Sequence, residues 1–365
     1  FKQKTAYEIR LSLVGSEMCI RDSAIRPASR CAISSTSRRG TKRVSLTLSL
    51  TAQDVREAAV RIADAVKRTP VMTSRSLDLV AGAACFVKCE NFQTSGSFKI
   101  RGAMNFARQI PVADRPKGIV AVSSGNHAQA VAIAAHSLGI HATIIMPTDA
   151  PQAKLNATRD RGAEIIQYDR LTTDREVLAR EVLARTGGTF LHPFDDERTM
   201  AGQGTLALEL LEKVDALDTL LVCVGGGGMI AGCATIAKEI HPRMRIYGVE
   251  PALANDTFLS LRANERVAVE NSSTIADGLR TPKPGARTFP VVQKLVEDIL
   301  LVTEDEIKAA MRFAMERMKI VVEPSGAVCL AAALAGKLPK DARRVGLVIS
   351  GGNVDLDVLA SICVG

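Results

Sequence analysis

From Thr51 onward the chain alternates between two hydrophobic periods. Thr51-Ala-Gln-Asp54 has the form of a capping box, and Val55, Ala58, Ala59, Ile62, Ala63 and Val66 follow at helical spacing until Pro70 closes the element. Short apolar runs at 85–89, 118–122, 141–146, 163–167, 219–224, 245–249 and 344–349 predict strands. Ala-rich stretches at 129–138, 174–185 and 229–240 predict helices between them. Thr303-x-x-Glu306 opens another helix, whose Met311, Met315 and Met318 read as core packing rather than a flexible ligand wall. Short strands alternating with helices predict an α/β fold with open, twisted, mostly parallel sheets flanked by helices. The β-α-β-α-β pattern of 118–170 predicts a small domain at 111–195, set into a larger one made of 51–110 and 196–365, with a cleft between them.

Composition narrows the function classes. With 365 residues, 47% hydrophobic and 24% charged, the chain can bury a full core, and no apolar run reaches the ~18 residues that span a bilayer, so no membrane role is expected. The formal charge of +8 is misleading. Residues 1–50 carry ten Lys and Arg against Glu8, Glu17 and Asp22, which leaves the body from 51 onward at +1. A near-neutral body with three Tyr and no Trp argues against nucleic acid as a partner. Residues 1–50 are expected to lie outside the fold, as a tag-like or targeting extension. Within them, 1–23 read as translated adapter sequence. Residues 24–50, with six basic residues, six Ser and no acid, suit either an organelle transit peptide or translated untranslated sequence. The eight cysteines lie mostly among apolar neighbours and suit a reducing compartment, the cytoplasm unless 24–50 target an organelle. Cys85 and Cys89 are four apart but lack a second pair at zinc spacing.

Three turns after predicted strands are candidate ligand sites. The run Gly225, Gly226, Gly227, Gly228, followed by Met229, lies between a strand and an Ala-rich helix, where backbone N–H groups can hold a phosphate. The same residues fit a loose dinucleotide pattern, Gly226-x-Gly228-x-x-Ala231 with Glu250 as a ribose-binding acid; no Gly-Lys-Ser/Thr follows, which argues against a P-loop. The second turn, Ser123, Ser124, Gly125, Asn126 and His127, suits a carboxylate. Ser350-Gly351-Gly352-Asn353 forms the third. Each alone could be a capped helix start; together they are expected to converge on one sheet edge. Lys99 stands between Phe98 and Ile100, beside Ser and Gly turns. Desolvation there would lower its pKa and yield a neutral amine able to form a Schiff base.

In their order, Ser97-Phe98-Lys99-Ile100-Arg101-Gly102, Ser124-Gly125-Asn126-His127, Gly225–Gly228 and Ser350-Gly351-Gly352-Asn353 resemble the fold-type-II pyridoxal-phosphate enzymes. The likeness covers about residues 54–362 and is nearest to the serine racemase and threo-3-hydroxyaspartate ammonia-lyase branch of the threonine dehydratase group. It implies a tryptophan synthase β-like architecture and pyridoxal 5'-phosphate as cofactor. Lys99 would be the Schiff-base lysine, with Phe98 beside the ring, Gly225 to Met229 at the phosphate, Asn126 at the phenolic oxygen and Ser350 at the pyridine nitrogen. Ser123 to His127 would hold the carboxylate of a small hydroxy amino acid, and Ser124 would act as a second acid or base. Glu250, the Ala254 carbonyl and Asp256 resemble that branch's divalent-cation site, suited to Mg²⁺. The implied assembly is a homodimer. One departure is Phe194, in His192-Pro193-Phe194, where the animal racemases have Asn; it favours elimination over racemisation. Arg175 could face substrate or simply be a solvated helix charge. The implied activity is β-hydroxy-amino-acid ammonia-lyase, with serine racemase activity beside it. Rivals from other classes are an NAD-dependent oxidoreductase and an amino-acid-sensing module.

Overall fold

The structure is a computed structural model that describes residues 48–364 apart from Pro151, Arg170 and Asn271. Nearly all of the predicted N-terminal extension therefore lies outside the described residues. The described residues form ten strands: β1 (Val71–Met72), β2 (Ala84–Cys89), β3 (Ile119–Val122), β4 (Ala142–Pro147), β5 (Glu164–Tyr168), β6 (Thr189–Phe190), β7 (Thr219–Cys223), β8 (Arg245–Pro251), β9 (Asp298–Val302) and β10 (Arg344–Ile349). They form a six-stranded sheet in the order β1-β2-β10-β7-β8-β9 and a four-stranded sheet in the order β5-β4-β3-β6. Every pairing is parallel except that of β1 with β2. Parallel strands covered by helices on both faces must be apolar throughout, and β7 and β4 are buried along their whole length. Burying Leu220, Leu221 and Val222 removes each from water at about 1.5–3 kcal/mol per side chain.

The seven expected strands are present with ends shifted by a residue or two. Strands β1 and β6 escaped notice because two residues carry no periodicity, and β9 because a continuous Ile-Leu-Leu-Val run does not distinguish strand from helix. The capped helices follow their signals. Thr51 and Thr303 each complete a capping box, with Asp54 and Glu306, at the starts of helices Ala52–Ile62 and Glu304–Phe313. The second of these passes into a π-helical turn, Ala314–Met318, which Lys319 ends in a left-handed conformation. Met311 and Met318 lie in the core. Among the described residues no helix is long and apolar enough to cross a membrane.

Helix Lys99–Arg108 lies between the two sheets' territories. Ile100, Met104 and Phe106 join the core of the four-stranded sheet with Ile119, Val131 and Ile144. Its other side meets helix Glu197–Lys213 at Gly202, where a Cβ would lie 2.6 Å from the Arg101 carbonyl oxygen. A buried ion network fixes this contact. The Arg101 guanidinium makes six hydrogen bonds, to Glu90, Glu209, Thr205 and the Lys67 carbonyl. Lys88 adds a 2.6 Å bond to Glu209, and Thr69 donates to Glu90. Removing one member of such a set leaves buried charge uncompensated. Arg101→Met is therefore expected to lower the unfolding free energy by about 3–5 kcal/mol, measured by urea titration; an unchanged midpoint would contradict the network's role.

Candidate functional site

The loop before Lys99 is sewn to the end of β10. Phe98 N–H donates to the Ser350 carbonyl (2.9 Å), Gly352 N–H donates to the Gly96 carbonyl (2.9 Å), and Ser97 pairs with Gly351 in an antiparallel bridge. Lys99, the first residue of its helix, is thereby held at the C-terminal edge of the six-stranded sheet, where open α/β sheets place ligands. Its Nζ donates to the Pro193 carbonyl (3.0 Å) and lies 5.0 Å from the centre of the Phe98 ring. Desolvation lowers the amine from 10.5 to about 8, against the opposing pull of Cys223 and Glu323. Burial pushes the Cys223 thiol itself up to about 11, so near neutrality it is an uncharged thiol. An amine at this value is roughly one-tenth uncharged near neutral pH.

The four-glycine turn follows β7 and opens helix Gly228–Ile240. No side chain caps that helix, and Gly227 at its N-cap is left-handed at φ +89°. Close packing forbids side chains elsewhere in the turn, since a Cβ on Gly226 or Gly228 would run into Phe194. The Gly226 carbonyl accepts from Thr288 Oγ1 (2.7 Å) and Gly285 N–H (3.2 Å). What remains is an uncapped helix start with its N–H groups and dipole available to an anion. Met229, the next residue, is buried.

The turn at Ser123–Gly125 follows β3 and so belongs to the four-stranded sheet, which corrects the expectation that all three turns share one sheet edge. Two long-range hydrogen bonds tie its following residue to the third turn and to the start of helix Pro324–Leu334. Asn126 Nδ2 donates to Glu323 Oε1 (2.7 Å), and Asn353 Nδ2 donates to Asn126 Oδ1 (2.8 Å). Helix Asn126–Ser137 also starts without a side-chain cap, behind Gly125. Ser123 Oγ accepts from Gly125 N–H (3.2 Å), whereas the Ser124 hydroxyl makes no hydrogen bond among the described residues. The His127 ring turns away from the turn: Nε2 donates to the Leu191 carbonyl (3.0 Å), and burial pulls its pKa down to about 3. It is therefore neutral, and its backbone N–H is what it offers at the helix start. Ser350 is buried with its hydroxyl 3.4 Å from the Ser325 carbonyl and hydrogen-bonded with Cys223.

Glu250, near the end of β8, and Asp256, after it, form a separate buried pair. Glu250 accepts from Thr257 N–H (3.1 Å) and Phe258 N–H (2.9 Å), while both Asp256 carboxylate oxygens are buried without a partner. Desolvation, with Asp256 adding its charge, pushes Glu250 up to about 8; desolvation alone takes Asp256 to about 7. Among the described residues no cluster of three or more His, Cys, Asp or Glu side chains gathers, so a cation here would need the buried Ala254 carbonyl and water besides the two carboxylates. Each Glu250 oxygen accepts one backbone N–H and keeps a further lone pair. Arg175 opens helix Arg175–Thr186 as a surface charge.

A family model described as pyridoxal-phosphate dependent enzyme matches residues 62–351. The chain belongs to this family. It is 47% identical over 312 residues to an L-threo-3-hydroxyaspartate ammonia-lyase of Pseudomonas sp, covering 86% of this chain and 98% of the relative. It is 46% identical over 307 residues to a serine racemase of Schizosaccharomyces pombe, covering 84% and 95%. The solved structure of maize serine racemase superposes with a TM-score of 0.83 at 43% identity, over 86% of this chain and 97% of that one. Pyridoxal phosphate presents an aldehyde, a phosphate, a phenolic oxygen and a pyridine nitrogen. This pyridoxal-phosphate enzyme has a chemically suited group for each: a desolvated amine, an uncapped helix start, an amide and a neutral hydroxyl.

Sequence reasoning missed Asp195. Its carboxylate accepts from the N–H groups of Ala286 (3.0 Å), Arg287 (2.7 Å) and Thr288 (3.2 Å), so it caps helix Thr288–Leu295 from 93 residues away. The His192 ring accepts from Asp195 N–H (2.8 Å), and Asp196 caps helix Glu197–Lys213. Adjacent acids before an apolar helical run are an N-cap signal, though the sequence does not tell that one serves a different helix. Asp195→Ala is expected to cost about 1–2 kcal/mol of stability, seen as a lower thermal midpoint; no loss would show that this cap is idle.

Proposed function

We propose that this chain is an ammonia-lyase for small β-hydroxy amino acids, releasing a 2-keto acid and ammonia, with serine racemisation as a side activity. The observation that carries the reading is the desolvated Lys99 amine, bonded to the Pro193 carbonyl next to Phe194, which packs on the glycine turn, and within the field of Glu323, which holds Asn126. It is supported by similarity to one relative named as a lyase and another named as a racemase. Lys99, Phe98, Gly225 to Met229, Asn126 and Ser350 are the residues proposed to hold the cofactor. Bound pyridoxal phosphate would supply the electron withdrawal that acidifies the α-carbon of the amino acid.

Lys99 Nζ, partly uncharged, is the proposed acceptor of the α-proton. The helix start at Asn126, with Ser123 to His127, is the proposed seat of the substrate carboxylate. Ser124, whose hydroxyl has no partner among the described residues, is proposed as the second proton-moving group that racemisation requires. Ser350 is a neutral hydroxyl in contact with a neutral thiol and places no anion at its end of the site. Its neutrality and the bulk of Phe194 against the glycine turn both favour elimination as the main reaction. The substrate is proposed to enter between a large domain, 51–110 with 196–365, and a small one, 111–195.

Glu250, Ala254 and Asp256 are proposed to hold Mg²⁺ or a similar cation, because two orphaned buried carboxylate oxygens need a positive partner. A homodimer is proposed on family resemblance. Among the described residues five cysteines are buried and free, which suits the reducing compartment proposed, the cytoplasm.

Borohydride reduction of the cofactor-loaded protein is expected to bleach its visible band and fix the label on Lys99. Lys99→Ala should release no ammonia from serine, threonine or hydroxyaspartate; turnover at the parent rate would refute the reading. Ser124→Ala is expected to suppress racemisation of serine more than elimination of the L-substrate, scored by chiral chromatography and keto-acid assay.

A pH signature accompanies the cation. The two carboxyls lose their protons near 4 in the unfolded chain but only near 7 and 8 in the folded one, so the cation-free protein loses stability as pH rises through that window. Mg²⁺ is thus expected to raise the thermal midpoint more at about pH 8.5 than at about pH 6. Glu250→Gln should abolish the increment, and its persistence would place the cation elsewhere.

A further inference from the structure

We infer that Glu323, together with Asn353, is a positioning residue that sets which end of the Asn126 side-chain amide faces the cofactor; the inference rests on the functional reading above. Glu323 is 5% exposed and occupies the N-cap of helix Pro324–Leu334, yet its carboxylate caps nothing there. It reaches instead to Asn126 Nδ2 at 2.7 Å, 197 residues away in sequence. On the amide's other end Asn353 Nδ2 donates to Asn126 Oδ1 at 2.8 Å, and the same nitrogen donates to the Ser95 carbonyl at 2.8 Å.

The chemistry of these partners allows one orientation. Glu323 Oε1 accepts from the nitrogen of Asn126. Asn353 is itself oriented, because its nitrogen must face the Ser95 carbonyl; it then offers an N–H, and the atom of Asn126 that meets it must be the oxygen. A flipped Asn126 would set oxygen against carboxylate and NH₂ against NH₂, losing both bonds. With the amide locked in this way, the second N–H of Nδ2 is the one hydrogen-bonding group of the side chain without a partner among the described residues. Asn126 is thereby held as a donor toward an acceptor oxygen. Without the lock, the amide is free to present its carbonyl.

The local backbone is built around this arrangement. A Cβ at Gly351 would collide with Glu323 Oε1, and one at Gly96, where φ is +73°, would collide with the Asn353 side chain. These two glycines, from the third turn and from the loop before Lys99, leave room for the side chains that hold Asn126 rather than forming an anion nest. The lock also crosses the fold, since Asn126 follows β3 of the four-stranded sheet while Asn353 follows β10 of the six-stranded one.

Equilibrium dialysis against pyridoxal phosphate, with the visible spectrum of the bound cofactor, tests the inference. The parent protein should first show a borohydride-reducible band; its absence would sink the functional reading and this inference with it. Given that band, Glu323→Ala and Asn126→Ala should each weaken cofactor retention about tenfold and shift the band in the same direction. The double variant should bind no more weakly than Asn126→Ala alone, since Glu323 acts through Asn126. Glu323→Gln keeps an acceptor oxygen and is expected to retain the parent band and most of the affinity. Losses that multiply in the double variant, or a Glu323→Ala protein with parent band and affinity, would overturn the proposal while leaving the functional reading intact. Should Glu323→Ala fail to fold, Asn353→Ala removes the other half of the lock; the same band shift is expected, and an unchanged band overturns the proposal.

Discussion

The structure depends on keeping a guanidinium dry two residues beyond a dry amine. Arg101 is fully buried, and a charge in that position is tolerable only because Glu90 and Glu209 neutralise it and every polar direction is filled. Because those partners come from the segment after β2 and from helix Glu197–Lys213, the first turn of helix Lys99–Arg108 has one place to sit. Lys99 inherits that placement. Its amine then meets a carbonyl, that of Pro193, instead of a carboxylate, so no close ion pair restores the charge that burial discourages. Stability and reactivity are linked here through one helical turn.

Polar side chains that join distant segments carry much of the remaining organisation. Asn126 couples the end of one sheet to the end of the other, and Asp195 couples the segment after β6 to helix Thr288–Leu295, whose Thr288 hydroxyl holds the glycine turn. Their partners are backbone N–H groups for Asp195, and a carboxyl oxygen and an amide of fixed sense for Asn126, so the contacts specify orientation as well as distance. Such contacts add specificity to a scaffold whose bulk stability comes from the two apolar cores.

Much of the fold was legible because burial writes itself locally. The run from Thr219 to Cys223 is apolar because both its faces are covered, and Thr303 with Glu306 announces a helix through bonds only three residues apart. Lys99 and the glycine turn were legible for a similar reason: an amine between Phe98 and Ile100, and four glycines in a row, are costly unless used. Glu323 left no such mark, because a Glu before Pro324 reads as an ordinary helix start. Nor does anything near Asn126 show which atom of its amide points where. The sheet to which the Ser123–Gly125 turn belongs was misjudged for the same reason, since sheet membership is decided by strand order and not by the turn's residues.

The packing of Phe194 against Gly226 and Gly228 restricts the order in which this site can change over generations. A Cβ at Gly226 meets the ring itself, whereas one at Gly228 meets the Phe194 backbone and Cβ, so neither glycine can drift first. Shrinking the ring opens room at Gly226 alone, and only then does a larger residue there become tolerable; Gly228 stays fixed whatever side chain stands at 194. Positions 194 and 226 therefore behave as a pair in which a bulky aromatic must leave before its neighbour can grow, and a lineage that keeps the aromatic also keeps Gly226.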